Sequence, residues 1–248
     1  MGNTQAARYV LMVFVWLISP PFHRSRLSLI LRPHDRPPIL DHSFFDRDPI
    51  IVARQLLGCA LRCRADGCEW VGGWIVETEA YLSHDDPASH SHRGQTPSNA
   101  SMFGPPGHLY VYPIHAKHCL NFVTEASGVG SAVLIRAIEP VWGIKTIRKR
   151  RRQNATRRLT SGPGMVCQAM DVDRTQDGMN WLARSDWQLN KNPDHTDFQI
   201  RTTSRIGLSK ATDLPLRFFI DGNQFVSGLA RDHSSSRTDR LGIAPLGS

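Results

Sequence analysis

Glu79 and Tyr81 stand two residues apart at the end of Ile75–Tyr81, the stretch IVETEAY. From Trp74 onward the chain alternates as a strand does. Trp74, Val76, Thr78 and Ala80 fall on one face, and Ile75, Glu77, Glu79 and Tyr81 on the other. The first face can pack on a core. The second ends in a carboxylate beside a phenol, which suits a general base next to a flat stacking surface, held on a rigid element. These seven residues also read as an amphipathic strand with a wet polar face. Arg136 interrupts the apolar run Ser131–Ile138, SAVLIRAI. A charge in such a run needs a partner. It is either a strand-edge arginine reaching solvent or one held near a carboxylate or phosphate. His90-Ser91-His92 brings two imidazoles together, but no third ligand follows at a suitable spacing, so no metal site is expected.

The chain that must position these groups has 248 residues, 40% of them hydrophobic, enough for a substantial core. Lys and Arg number 30 against 22 Asp and Glu, a formal charge of +8. That excess favours a polyanion, nucleic acid ahead of an anionic membrane surface. Five cysteines, an odd number without any CxxC, point to reduced thiols in the core or a hairpin rather than to a disulfide framework or zinc ribbon.

Residues 1–40 differ from the rest. Arg8 precedes the apolar run Tyr9–Ile18, too short to span a bilayer, and Ser19-Pro20-Pro21 closes it. A signal peptide or an organelle transit peptide is conceivable on charge pattern. The favoured readings are a misplaced start or a disordered arm. The folded part is expected from about residue 41 to 228, with a polar, disordered tail over 229–248.

Asp46–Gly58 reads as a helix, capped by Asp46 or Asp48 with Pro49 in its first turn. Cys59–Arg64 and Cys68–Tyr81 read as a hairpin around the turn signal Ala65-Asp66-Gly67. Leu82–Gly107 is a long polar loop carrying Asp85, Asp86, His90 and His92, and loops of that length are functional or disordered. His108–Ile114 alternates with Tyr110 and Tyr112 on one face, and Pro113 marks a bulge or strand end. His115–Asn121 returns. Glu139–Leu159 is expected to begin as a helix and become strongly basic, with Arg148, Lys149, Arg150, Arg151, Arg152, Arg157 and Arg158 within eleven residues. A phosphate backbone would relieve their repulsion. Ser161-Gly162-Pro163-Gly164 opens a helix over Met165–Met170, whose start can hold a phosphate. Asp171–Gln199 is polar and loop-rich, and Arg201–Leu208 and Leu216–Ile220 read as closing strands.

IVETEAY, DPASH, RGQTPSNASMFGPPGHLYVYPIHAKHCLN, AVLIRAIEP, SGPGMVCQAM, RIGL and PLRFFI follow one another in this order. Together they resemble the alkyladenine (3-methyladenine) DNA glycosylase family, over roughly Asp41 to Val226, least well in Asp171–Gln199. The resemblance implies a single mixed α/β (α+β) domain, a curved antiparallel sheet flanked by helices with a protruding hairpin. It also implies a monomeric, monofunctional enzyme that flips alkylated or deaminated purines out of double-stranded DNA and hydrolyses the glycosidic bond. Glu79 falls on the family's catalytic carboxylate, which activates water at C1′ through an oxocarbenium-like transition state. Arg136 falls on a residue orienting that water or the adjacent phosphate, and the carbonyl of Ile206 is a further candidate to touch the water. Tyr81 and His90 would form one wall of the base pocket and Tyr112 the other, and Asn121 would exclude guanine sterically. No cofactor, metal, lysine Schiff base or membrane is implied, and the location would be the cytoplasm or nucleoid, or the nucleus in a eukaryote.

This sequence departs from the family around Tyr112–Asn121, where the segment is one residue shorter. The residue wedged into the minor groove is His115 counted from Tyr112, or Ile114 counted from Asn121. The competing reading is a non-catalytic nucleic-acid-binding module on the same fold. No GxGxxG, P-loop, HExxH or GxSxG supports another enzyme class.

Overall fold

The computed structural model describes residues 39–65, 69–191, 197–229, 233 and 237–240. The region 1–38, including the apolar run, and residues 66–68, which hold Asp66 and Gly67 of the expected turn, lie outside them. Among the described residues no helix is long and apolar enough to cross a membrane.

A thirteen-residue strand, β2 (Glu69–Tyr81), is the spine of the fold. It follows α1 (His42–Phe45), α2 (Pro49–Leu56) and β1 (Ala60–Ala65). α2 starts where chain chemistry dictates: the Asp48 carboxylate accepts from the Ile50 N–H at 2.7 Å and Pro49 occupies the first turn. Asp41, not Asp46, caps the separate short α1. After β2 come β3 (Leu109–Ile114), β4 (Lys117–Val123), β5 (Ala132–Trp142), α3 (Ile144–Arg151), α4 (Pro163–Met170), β6 (Trp187–Asn190), β7 (Gln199–Thr203), β8 (Arg217–Ile220) and β9 (Arg237–Arg240). All described pairings are antiparallel, in the order β3-β4-β5-β2-β8-β7-β9, with β1 joining β2 to β6. The class is the expected α+β fold with a curved antiparallel sheet.

The regular alternation of IVETEAY does not survive pairing. Ile75 faces Ile138 and Glu77 faces Ala137, so Val76 is an extra residue on β2. Thr78 then faces Ile135, so Arg136 is an extra residue on β5. Ile75, expected on the face of the glutamates, joins Val76 and Ala80 in the main core. Glu77, Glu79 and Tyr81 keep their common face. Bulges of this kind bend a sheet and re-aim side chains, and here both lie beside Glu77. At Gly73 the strands approach so closely that a Cβ would meet the Glu139 carbonyl oxygen at 1.8 Å.

Other boundaries moved for physical reasons. β5 continues through Glu139 and Pro140 to Trp142, because that end pairs with Gly72 and Gly73 and packs Trp142 edge-on to Trp74 at 5.1 Å. The helix expected from Glu139 begins at Ile144, after Gly143 turns the chain at φ 65°. Pro113 does not end its strand: β3 lies on the sheet edge, where a missing N–H costs no ladder bond. Arg205–Leu208 fall outside β7, which ends at Thr203. Arg237–Arg240, within the segment expected to be a disordered tail, pair with β7.

The long loop after β2 is pinned rather than disordered. Asp86 forms a buried bidentate pair with Arg205 at 2.6 and 2.7 Å. Asn99 donates to the carbonyls of His90 and Gly94. Cys59, Cys63, Cys119 and Cys167 are buried free thiols, and burial pushes Cys59 and Cys63 up to about 12.

Candidate active site

The end of β2 delivers two fully buried carboxylates on one face. Glu77 accepts from Arg136 Nε at 3.1 Å, Arg217 Nε at 2.7 Å, the Ser227 hydroxyl at 2.9 Å and the Ser227 N–H at 2.7 Å. Three of these donors share Oε1, and Oε2 takes the Ser227 N–H alone among the described residues. Glu79 has three donors. Oε1 takes Arg136 Nη1 at 3.1 Å and the Ile206 N–H at 2.9 Å, and among the described residues Oε2 takes only the Tyr81 hydroxyl at 2.9 Å. One acceptor position on Oε2, beside Tyr81, is therefore left over.

Arg136 bridges the two acids and donates further to the Ser227 hydroxyl at 3.2 Å. It is no solvent-facing edge arginine, since β5 runs between β4 and β2. Burial by itself would lower its pKa, but Glu79 and Glu77 outweigh burial and hold it above the ordinary value. Burial and the adjacent Glu79 push the Tyr81 phenol well above its ordinary value, so it stays protonated and donates. Ile206, expected to offer its carbonyl, meets Glu79 through its amide.

Tyr81, His90, Met102, Tyr110, Tyr112 and Asn121 line a slot of about 10 Å³. All four residues expected to contact a base are thus brought together. The slot is narrow because the His90 ring stands edge-on to Tyr112, centroids 4.5 Å apart at 70°. A volume near that of one probe sphere admits no purine, so a base enters only if these rings part. His90 Nδ1 lies 2.7 Å from the Tyr110 hydroxyl, and its partial burial lowers its pKa, which keeps it neutral at pH 7. Both hydrogen bonds of Asn121 are donated by its amide nitrogen, to the carbonyls of Tyr110 at 2.9 Å and Cys119 at 3.3 Å. The amide is fixed and cannot swing aside for a larger base.

Ile114 ends β3 and His115, at φ 53°, begins the two-residue connection to β4. Both sit at the hairpin tip, and Ile114 is 45% exposed despite its apolar side chain. Sequence reasoning missed Asp86, Arg205, Arg217 and Ser227. Arg205 and Arg217 lie in the runs RIGL and PLRFFI, so the argument that singled out Arg136 applied to them equally. The Arg205 guanidinium also stacks 4.6 Å from the centre of the Tyr81 ring, on the residue next to Ile206.

A buried carboxylate with one open acceptor position beside an aromatic slot can activate a water next to a flat ring. Residues 43–224 match the family model described as Methylpurine-DNA glycosylase (MPG), and the chain belongs to this family of DNA glycosylases. It is 56% identical over 207 residues to a protein of Rhodopirellula baltica named "Putative 3-methyladenine DNA glycosylase", covering 82% of this chain and 88% of that one. Proteins with the same name are 47% identical over 191 residues in Agrobacterium fabrum (77% of this chain, 93% of that one) and 43% over 192 in Methanoculleus marisnigri (76% and 98%).

Proposed function

We propose that this chain is a monomeric, monofunctional glycosylase of base excision repair. It extrudes alkylated or deaminated purines of the 3-methyladenine and hypoxanthine type from duplex DNA and hydrolyses their link to deoxyribose. The observation that carries this reading is the unfilled acceptor position on Glu79 Oε2, next to a residue that lines the slot. As the C1′–N bond breaks and the purine leaves with the electron pair, the Glu79 charge stabilises the developing oxocarbenium ion, and a water hydrogen-bonded there gives its proton to Glu79 as its oxygen bonds C1′. Arg136 and the Ile206 amide hold Oε1, so the carboxylate stays in place. Tyr81 and Tyr112 face the base, a neutral His90 adds no positive charge against a cationic purine, and Asn121 crowds out the amino group of guanine. Ile114 or His115 fills the gap left in the duplex.

Release of free base from oligonucleotides carrying hypoxanthine or 3-methyladenine tests this. Glu79→Gln keeps DNA binding and loses release; undiminished turnover removes Glu79 from its role. Salt-sensitive binding without release from any damaged purine would favour the non-catalytic module instead. A covalent adduct trapped by borohydride would contradict the monofunctional assignment.

A further inference from the structure

The sequence draws attention to the basic run on α3 as the phosphate-binding feature, yet the structure ties down much of it. Arg150 donates to the Ala169 carbonyl at 3.1 Å and to Asp171 at 3.2 Å. Arg151 bonds the Leu159 carbonyl at 2.9 Å and the Gln168 amide oxygen. Arg157 donates to the Gln224 carbonyl at 2.9 Å, and Arg148 to Thr156 at 3.2 Å. α3 also packs beside Val71 through Ile147, ten residues up β2 from Tyr81, which is roughly 30 Å at ~3.3 Å per residue. The phosphate of a nucleotide seated in the slot cannot reach it, because that phosphate stays within one nucleotide's length of the base.

A different set of basic side chains borders the slot. A cavity of about 530 Å³ opens beside His90, between the loop after β2 and the edge strand β3. It shares His90, Tyr110 and Tyr112 with the slot. His92, Arg93 and Lys210 line it, and no carboxylate does. Among the described residues the side chains of these three make no hydrogen bond or ion pair. Arg93 and Lys210, around a concavity that no described carboxylate lines, raise the local positive potential. The space suits a bound ligand group, and the loop that frames it is fixed from behind by Asp86 and Asn99.

We propose that this cavity is a phosphodiester site: Arg93 and Lys210, with His92 at the rim, hold the backbone phosphate of the extruded nucleotide on the far side of His90 from the base. The assignment rests on reading the chain as a base-flipping glycosylase. It divides the nucleotide in two, with the ring among Tyr81, Tyr112 and Asn121 and the phosphate among cations across the His90 ring.

The test replaces Arg93→Gln and Lys210→Gln together in the full chain. Lys149→Gln with Arg158→Gln removes equal charge from the basic run as a control. The first readout is binding to a duplex containing a tetrahydrofuran abasic analogue, measured over a range of salt concentrations. The second is single-turnover release of hypoxanthine, giving a half-saturation concentration and a plateau rate. The cavity pair is expected to lower the salt slope by about 1 to 2, since each phosphate contact contributes about 0.9. It should raise the half-saturation concentration about tenfold and leave the plateau rate within about twofold, with binding energy lost and chemistry kept. The control pair should leave all three unchanged within about twofold. An unaltered slope in the cavity pair, or an equal change in both pairs, overturns the assignment. The binding readout needs no catalysis. A lowered slope in a protein that releases no base would sink the glycosylase reading and keep the site. Normal release with an unaltered slope would do the reverse.

Discussion

Glu77 and Glu79 sit two residues apart on one strand face, both fully buried and both bonded to Arg136. Their surroundings differ in one respect that matters. Glu77 takes four donors from β5, β8 and the segment after β8, and none of them comes from a residue that lines the slot. Glu79 is held by three donors, one of them a phenol that lines the slot. With equal burial, Glu77 is an anchor and Glu79 is the position for which the base role is proposed. Their neighbours separate them: among the described residues Glu79 bonds a residue that lines the slot and Glu77 does not.

The largest effect should fall on the reactive carboxylate. Glu79→Gln is expected to lower the single-turnover release rate by about 10²–10⁴, the range for removing a general base, while abasic-analogue binding persists. A rate within tenfold of wild type would erase the distinction. Glu77→Gln should act on folding. It leaves Arg136 and Arg217 buried without their shared carboxylate, which costs about 3–5 kcal/mol, read as a fall in the urea midpoint. If Glu79→Gln destabilises more than Glu77→Gln, the anchor has been misidentified. Arg136→Lys sharpens the comparison, because one ammonium cannot reproduce the fork that spans both acids. We expect roughly 10- to 100-fold slower release together with a stability loss smaller than that of Glu77→Gln. Tyr81→Phe removes one donor to Oε2 but keeps the ring. Release should slow by about tenfold or less, with half-saturation nearly unchanged.

The smallest effect concerns pH at the slot. Burial sets the folded-state pKa of His90 below its ordinary value near 6.5. The unfolded chain therefore binds this proton more readily, and the stability that neutral His90 supports is complete above about 6.5. It is lost as pH falls from there through the folded value. Urea titrations at several pH values should show a shallower acid-side loss in His90→Gln than in wild type. An identical profile would remove His90 as a contributor.

Much of this was legible in the chain itself. The Asp48 cap, the paired signals of β3 and β4, and the strand ending in Glu79 and Tyr81 depend on neighbours within a few residues. Local propensity and capping act at that range. The order of the motifs also located Tyr112 and Asn121, which line the slot, and Arg136, which pairs with Glu79. What failed did so where pairing partners come from far along the chain. Strict period-two reading put Ile75 on the wrong face, because the bulges at Val76 and Arg136 exist only when β2 meets β5. A helix was expected at Glu139 because nothing local reports that this end pairs with Gly72 and Gly73.

By itself, the sequence determined which strand carries the acid, placed the accompanying rings through the family resemblance, and favoured a polyanion as partner, since residue type, alternation and net charge are written in order along the chain. Only the tertiary structure decided that Glu77 is enclosed by Arg136, Arg217 and Ser227 while Glu79 bonds a residue of the slot. The reason is physical: the donors that make the difference, Arg217, Ser227 and the Ile206 amide, arrive from more than a hundred residues away. The same holds for the basic run, where Arg150, Arg151 and Arg157 find partners within the fold, while Arg93 and Lys210, inconspicuous in the chain, are left facing the cavity.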